Sequence, residues 1–263
     1  MTEMNGGITP IILASGSPRR RELLSLLGLP LKVIPSDADE SFQPGWTPDY
    51  IVSTLALRKA EAVLPQAGSK PAVVVGSDTI VVLDGRVLGK PRDDSEARDM
   101  LASLQGRSHS VFTGLACVRA GQAGERIGAL PEDVWKTAPQ APVDLADTEE
   151  AVPPGLGNGN GGTITPLPFG RLGQYAVIPG AGGNGPLAIA GYTESRVTFR
   201  PMTSAEITSY IATGEPMDKA GSYGIQGIGS VFIEEMEGDF YSVMGLPLNL
   251  LYEMLSRFGI SPF

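Results

Sequence analysis

Ile11-Ile12-Leu13-Ala14-Ser15-Gly16-Ser17-Pro18-Arg19-Arg20-Arg21-Glu22-Leu23-Leu24 is the stretch whose reading decides the fold. An apolar run ends in small residues, then a proline, then three arginines that open a helical pattern. This is a strand handing its C-terminal end to a helix, with Pro18 suited to the first turn and Gly28 to the stop. Free backbone N–H groups, the hydroxyls of Ser15 and Ser17, and guanidinium charge converge there, which makes a grip for phosphate. For any one arginine the plainer reading is a solvated helix start.

Outward from this stretch, 31–35 reads as a short strand, followed by the acidic loop Asp37-Ala38-Asp39-Glu40. Residues 48–64 read as a helix behind Thr47 and Pro48. The runs 72–75 and 79–83 are apolar and β-branched, and Asp84-Gly85 turns the chain into Val87-Leu88 as a hairpin. Residues 95–104 read as a helix and 110–118 as a long strand. Further on come a strand at 194–200 and a helix at 204–213 with a Thr203/Glu206 capping box. A strand at 230–234 and an amphipathic closing helix at 247–258 complete the order. Strands alternating with helices, plus one hairpin, predict an α/β domain with a mixed sheet.

From about 119 to 191 the composition changes. Pro153-Pro154-Gly155, Gly157 to Gly162 and Gly180 to Gly185 crowd the segment, and regular periodicity is lost. This predicts an insertion, partly disordered or built of long surface loops, and dispensable to the fold.

The chain has 263 residues, 42% of them hydrophobic, and a net charge of -9. That charge argues against nucleic acid or an anionic membrane surface as the partner, and an acidic phosphate binder must concentrate its cations locally. Cys117 is the single cysteine, which excludes an internal disulfide framework; it lies in an apolar run and reads as core. No signal peptide and no run near the roughly 20 apolar residues of a membrane span are present. The expectation is a cytoplasmic protein.

Four constellations carry chemistry. The arginine start is the first. In Val75-Gly76-Ser77-Asp78-Thr79, a carboxylate stands between apolar runs, where burial is costly unless it is paired or metal-bound. Asp78 therefore reads as a metal ligand or general base at a cleft lip, against the plainer reading of a turn Asp. Gly89-Lys90-Pro91 returns a lysine toward the same edge. The stretch from Asp218 and Lys219 to Gly227 offers close backbone approach, one ammonium, and in Gln226 an amide able to read a base edge. Glu40 and Lys59 complete the set; a solvated face is the default for each. Gly180-Ala-Gly-Gly-Asn-Gly185 matches the dinucleotide fingerprint formally, but opens no helix. His109, the sole histidine, reads as a polar edge residue.

In order, these segments resemble the Maf family of nucleoside triphosphate pyrophosphatases. The matching stretches are Leu13 to Leu24, Asp39-Glu40, Ala56-Leu-Arg-Lys-Ala60, Gly76-Ser-Asp-Thr79, Leu88-Gly-Lys-Pro91, Leu104-Gln-Gly106 to Val111-Phe-Thr-Gly114, Gly214 to Gly227 and Val243-Met-Gly-Leu-Pro247. The resemblance implies an α/β fold like that of the inosine-triphosphate pyrophosphatases: a mixed sheet flanked by helices, with two lobes around a cleft. It implies one catalytic domain over 8–263, interrupted by the insertion at about 119–191. It also implies hydrolysis of a nucleoside triphosphate to monophosphate and diphosphate. Asp78 would be the proton acceptor. Glu40 and Asp78 would be associated with a divalent metal, Mg2+ or Mn2+. Ser15, Arg19, Arg20, Lys59, Lys90 and Lys219 would bind substrate. Arg19, Thr79 and Gln226 stand at the positions that separate family branches, and the combination resembles the branch acting on dTTP and UTP, with modified pyrimidine nucleotides also in range. A homodimer is implied, and the insertion puts its interface in doubt. The rival readings are a nucleotidyltransferase and a non-catalytic nucleotide-binding regulator of septum formation.

Overall fold

The structure is a computed structural model that describes residues 9–121, 127, 129–136, 164, 166–180 and 185–263. Its strands are β1 (Ile11–Leu13), β2 (Leu31–Val33), β3 (Ala72–Leu83), β4 (Arg86–Leu88), β5 (Ser108–Ala120), β6 (Pro166–Phe169), β7 (Gly173–Pro179), β8 (Pro186–Phe199) and β9 (Ile233–Glu237). Its helices are α1 (Pro18–Ser25), α2 (Pro48–Ala67), α3 (Asp94–Leu104), α4 (Ser204–Ile211), α5 (Phe240–Met244) and α6 (Leu248–Arg257). All the strands share one sheet in the order β2-β1-β3-β5-β8-β7-β6, with β4 also on β3 and β9 on β8. β1 runs parallel to β2 and β3; the other pairs are antiparallel. The mixed α/β architecture expected from the sequence is present.

Side-chain alternation along β3 builds both faces. Val74, Ile80 and Val82 meet α2 through Ala56, Leu57 and Ala60 at one end and Ile51, Val52 and Leu55 at the other. On the opposite face, Val73 and Val75 meet Leu23 and Leu24 of α1 and Leu250, Leu251 and Leu255 of α6. Burying each such leucine stabilises by about 2 kcal/mol. Farther along that face, Val81 and Leu83 meet α3 and α4 through Leu101, Leu104 and Ile207. One helix thus spans one face, while the other face divides into two lobes.

Two glycines bring α2 hard against the sheet. A Cβ on Gly76 would lie 2.1 Å from Ala56 O, and one on Gly114 would lie 2.0 Å from Val52 O. Only a residue without a side chain allows that approach.

Three expectations are corrected. The apolar runs 72–75 and 79–83 are one strand, not two: β3 passes unbroken through Gly76-Ser77-Asp78-Thr79, paired with β5 from Ala72 to Val82. The described part of 119–191 is more strand than loop. β7 and the first half of β8 extend the sheet, and Ile127, Leu130, Val134 and Trp135 join the α2-side core. Trp135 Nε1 donates to Ser53 Oγ at 3.0 Å, and Tyr50 OH to Leu130 O at 2.8 Å. The short apolar runs 175–178 and 187–190 were masked by flanking glycines and prolines. Gly180 and Gly185 are joined by a backbone hydrogen bond where β7 meets β8, whereas 181–184 and the low-complexity 153–162 lie outside the described residues. His109 is no edge residue. It is buried, with Nε2 2.8 Å from Tyr223 OH, and burial pushes its pKa down to about 4. Cys117 is core as expected, with its thiol pushed up by burial.

Candidate active site

The sheet has a notch. β1 ends where Leu13 pairs with Val75, and β4 joins β3 only from Val81. Residues 76–80 of β3 therefore lack a strand neighbour on one edge while β5 holds the other. The loop after β1, carrying Ser15 to Ser17, borders the notch at one end. Gly89 and Lys90, just past β4, border it at the other. The 218–226 segment and the Met244-Gly245 turn form further walls. The resulting cleft of about 580 Å³ is lined by Ser15, Arg19, Arg20, Glu40, Lys59, Asp78, Thr79, Lys90, Lys219 and Gln226, the whole set expected from sequence.

Asp78 sits on the α2 side of β3. Because Gly76 admits α2 so closely, Lys59 on that helix reaches Asp78 Oδ1 at 2.6 Å and Glu40 Oε1 at 2.9 Å. Lys59 and Asp78 are both buried, so the charges are tolerable only as a pair. Burial alone would raise the Glu40 carboxyl. The hydrogen bond from Lys59, and the charges of Lys59, Lys90 and Arg20, outweigh it and hold Glu40 below its ordinary value.

The cleft cations fall into two groups. Lys59 is committed to two carboxylates. Lys219 Nζ donates to Glu215 O at 2.5 Å and Asp218 Oδ1 at 2.6 Å. Arg20 donates to Gly245 O, Ser77 O and Thr79 Oγ1. Burial lowers its guanidinium from the ordinary value, an effect that the Asp78 charge offsets in part. Arg19 and Lys90, by contrast, make no hydrogen bond or ion pair among the described residues. They are the free cations of the cleft. Ser15 Oγ accepts from Ser17 N at 3.1 Å, which leaves its proton available.

The other positions expected to set specificity differ in their surroundings. Gln226 is exposed on the glycine-rich segment. Thr79 faces away from Asp78, as neighbouring strand residues must, and its hydroxyl is taken up by Arg20 and Thr113. Sequence reading gave no role to Glu215, whose carboxylate accepts from Tyr210 OH, Ile228 N and Gly229 N and so shapes the segment bearing Gln226. The one available signal was an acid beside Gly214, within a matched motif. Phe42, an exposed aromatic on the cleft wall, was also missed.

The sequence profile of the Maf family, described as Maf-like protein, matches residues 10–149 and 175–258. The chain belongs to the Maf family. This Maf protein is similar to one from Moorella thermoacetica named dTTP/UTP pyrophosphatase, at 38% identity over 253 residues, covering 96% of this chain and 97% of that protein. It is also similar to one from Bacillus cereus of the same name, at 36% identity over 250 residues, covering 95% and 96%. The solved structure of the Staphylococcus aureus Ham1 protein aligns with 44% of this Maf chain and 66% of its own, at 19% identity and a TM-score of 0.29, a likeness too slight to bear on the fold. The profile leaves only 150–174 unmatched inside the Maf region, a narrower gap than the 119–191 read from composition. No described helix is long and apolar enough to cross a membrane.

Proposed function

We propose that this Maf protein hydrolyses dTTP and UTP at the α–β phosphoanhydride, releasing the nucleoside monophosphate and diphosphate. The observation that carries the reading is the Lys59-bridged pair of Asp78 and Glu40 inside a cleft that also holds free cations. The name printed for the relatives from Moorella thermoacetica and Bacillus cereus supports the substrate.

In this reading Arg19 and Lys90 take the triphosphate, and Ser15 adds a hydroxyl donor. Asp78 accepts the proton of a water as that water's oxygen bonds to the α-phosphorus and the bond to the bridging oxygen breaks. The cations bear the charge that develops on the departing diphosphate. Gln226 faces the base. Glu40 and Asp78 fit a divalent ion. They are hard oxygen donors already gathered around a cation, and Mg2+ commonly takes one or two carboxylates together with substrate phosphates. When bound, the metal would neutralise phosphate charge. Among the described residues no group of three or more metal-ligating side chains forms, so substrate oxygens would complete the set. The net charge of -9 and the buried single cysteine support a cytoplasmic enzyme acting on free nucleotide, and the family resemblance supports a homodimer.

The test is product analysis. Purified protein with dTTP or UTP and Mg2+ should yield dTMP or UMP and diphosphate in equal amounts, without any acceptor, and chelation should stop it. Binding without turnover across Mg2+ and Mn2+ would sink the reading.

A further inference from the structure

Arg20 meets the cleft with its guanidinium held from three sides. Nε donates to Gly245 O at 2.8 Å, Nη1 to Ser77 O at 2.8 Å and Nη2 to Thr79 Oγ1 at 3.2 Å. Two of these acceptors belong to residues that are themselves linked, because Ser77 Oγ lies 2.9 Å from Gly245 O. The third depends on a hydroxyl. Thr79 Oγ1 stands 3.0 Å from Thr113 Oγ1, and Thr113 Oγ1 donates to Ser242 O at 2.8 Å.

The direction of this chain follows from proton counting. A hydroxyl has a single proton. Thr113 has given its own to Ser242, so Thr79 must be the donor between the two threonines. Thr79 then turns only lone pairs toward Arg20, which has only donors. Thr113 is fully buried and outside the cleft lining. The seat is also tight. A Cβ on Gly245, where φ is +108°, would stand 3.3 Å from Arg20 Nε and 3.4 Å from Thr79 Oγ1.

We infer that Thr113 and Thr79 form a two-hydroxyl relay that fixes the Arg20 guanidinium, which makes both threonines positioning residues for the anion grip. The inference rests on the nucleotide reading of the cleft. Arg20 carries five N–H groups and spends three on the protein, which leaves two for a phosphate. A fixed fork presents those two without reorganisation. Without the Thr79 acceptor the fork gains a third free N–H and freedom to turn. Without Thr113 the Thr79 proton loses its place, and the Thr79 hydroxyl can rotate to oppose Arg20 with its own hydrogen.

The experiment compares Thr79→Val, Thr113→Val, the double variant, Thr79→Ser and Thr113→Ser. kcat/KM for dTTP with Mg2+ and the thermal melting of each variant are measured. Thr79→Val should lower kcat/KM about tenfold, the scale of one charge-assisted hydrogen bond, and Thr113→Val about threefold. The double variant should be no worse than Thr79→Val alone, and both serine variants should stay within about twofold of wild type. A Thr113→Val protein that is folded and fully active, losses that multiply in the double variant, or serines that fail to restore would each overturn the relay. Calorimetric binding of inorganic tripolyphosphate follows the same series, with the same order expected. If the wild type hydrolyses no nucleotide, the functional reading falls, and the tripolyphosphate series decides the relay alone.

Discussion

The Lys59 ammonium lies 2.6 Å from the Asp78 carboxylate, with both side chains buried beneath the cleft. Removing either partner leaves an uncompensated charge, which costs roughly 3–5 kcal/mol. Lys59→Met should therefore lower both the melting temperature and kcat, and raised Mg2+ should recover part of the activity by supplying a replacement cation. Asp78→Asn should cut kcat by about a thousandfold while tripolyphosphate still binds, since proton acceptance is lost and Arg19 and Lys90 remain. Circular dichroism melts and steady-state rates check both variants; wild-type turnover by the Asn variant would remove Asp78 from the chemistry.

Among the described residues the Lys90 side chain makes no hydrogen bond or ion pair, whereas Lys219 is tied to Asp218 and Glu215. Lys90→Ala should raise KM for dTTP about tenfold and leave stability unchanged, because one cation in a partly dry cleft is worth about 1–2 kcal/mol to a phosphate. The Arg19→Ala protein should behave alike, and KM should climb with salt in the wild type more steeply than in either variant. Lys219→Ala should disturb the melting temperature as well as KM. Titrating dTTP at two ionic strengths distinguishes these outcomes.

Gly76→Ala is expected to be severe. Its Cβ would meet Ala56 O at 2.1 Å, and backbone cannot give way as a side chain can. α2 must lift, which should cost about 3 kcal/mol or more and draw Lys59 away from Asp78. Urea unfolding and activity should fall together; a variant that keeps full activity would show that the close approach of α2 is not what seats Lys59.

His109 is held neutral in the fold, with its pKa pushed from 6.5 down to about 4 by burial. Between those values the unfolded chain takes up a proton that the folded chain refuses. Stability should therefore fall as pH drops from about 6.5 to 4 and rise with pH across the same window. The full effect of this one residue is about 3 kcal/mol. His109→Gln should flatten that slope in denaturant melts at pH 4, 5, 6 and 7. An unchanged slope would assign the effect to other groups.

Much of the site was legible because its chemistry is written in short local strings. Ser15 to Arg20, Asp78-Thr79, Lys90 and Lys219 to Gln226 all reach one cleft. What stayed hidden was what those residues touch. Arg20 and Lys219 read as free charges, yet their acceptors include carbonyls of Gly245 and Ser77 and of Glu215, and a carbonyl leaves no trace in residue type. Asp78 read as a residue at a cleft lip between two separate apolar runs, because Gly-Ser-Asp interrupts them, and not as a position within one continuous strand. The notch between β1 and β4 admits polar residues in mid-strand, and register cannot be seen in a single stretch. In the fold, the 119–191 segment failed for a similar reason: Tyr175 to Ile178 and Leu187 to Ala190 are too short to stand out among glycines until β7 pairs with β8 and β8 with β5.

The unbroken path of β3 through Asp78 has a consequence for how this molecule can fail. A proton acceptor carried on a loop can be lost by local fraying while the body stays intact. Here the proposed acceptor, Asp78, is a rung of the central ladder, hydrogen-bonded alongside β5 between two buried stretches of the same strand. The molecule has no cheap way to switch its chemistry off by loosening a part. On the proposed reading, walls that hold Lys90, Lys219 and Gln226 can relax and weaken capture, but the Asp78 carboxylate gives way only when the whole sheet does.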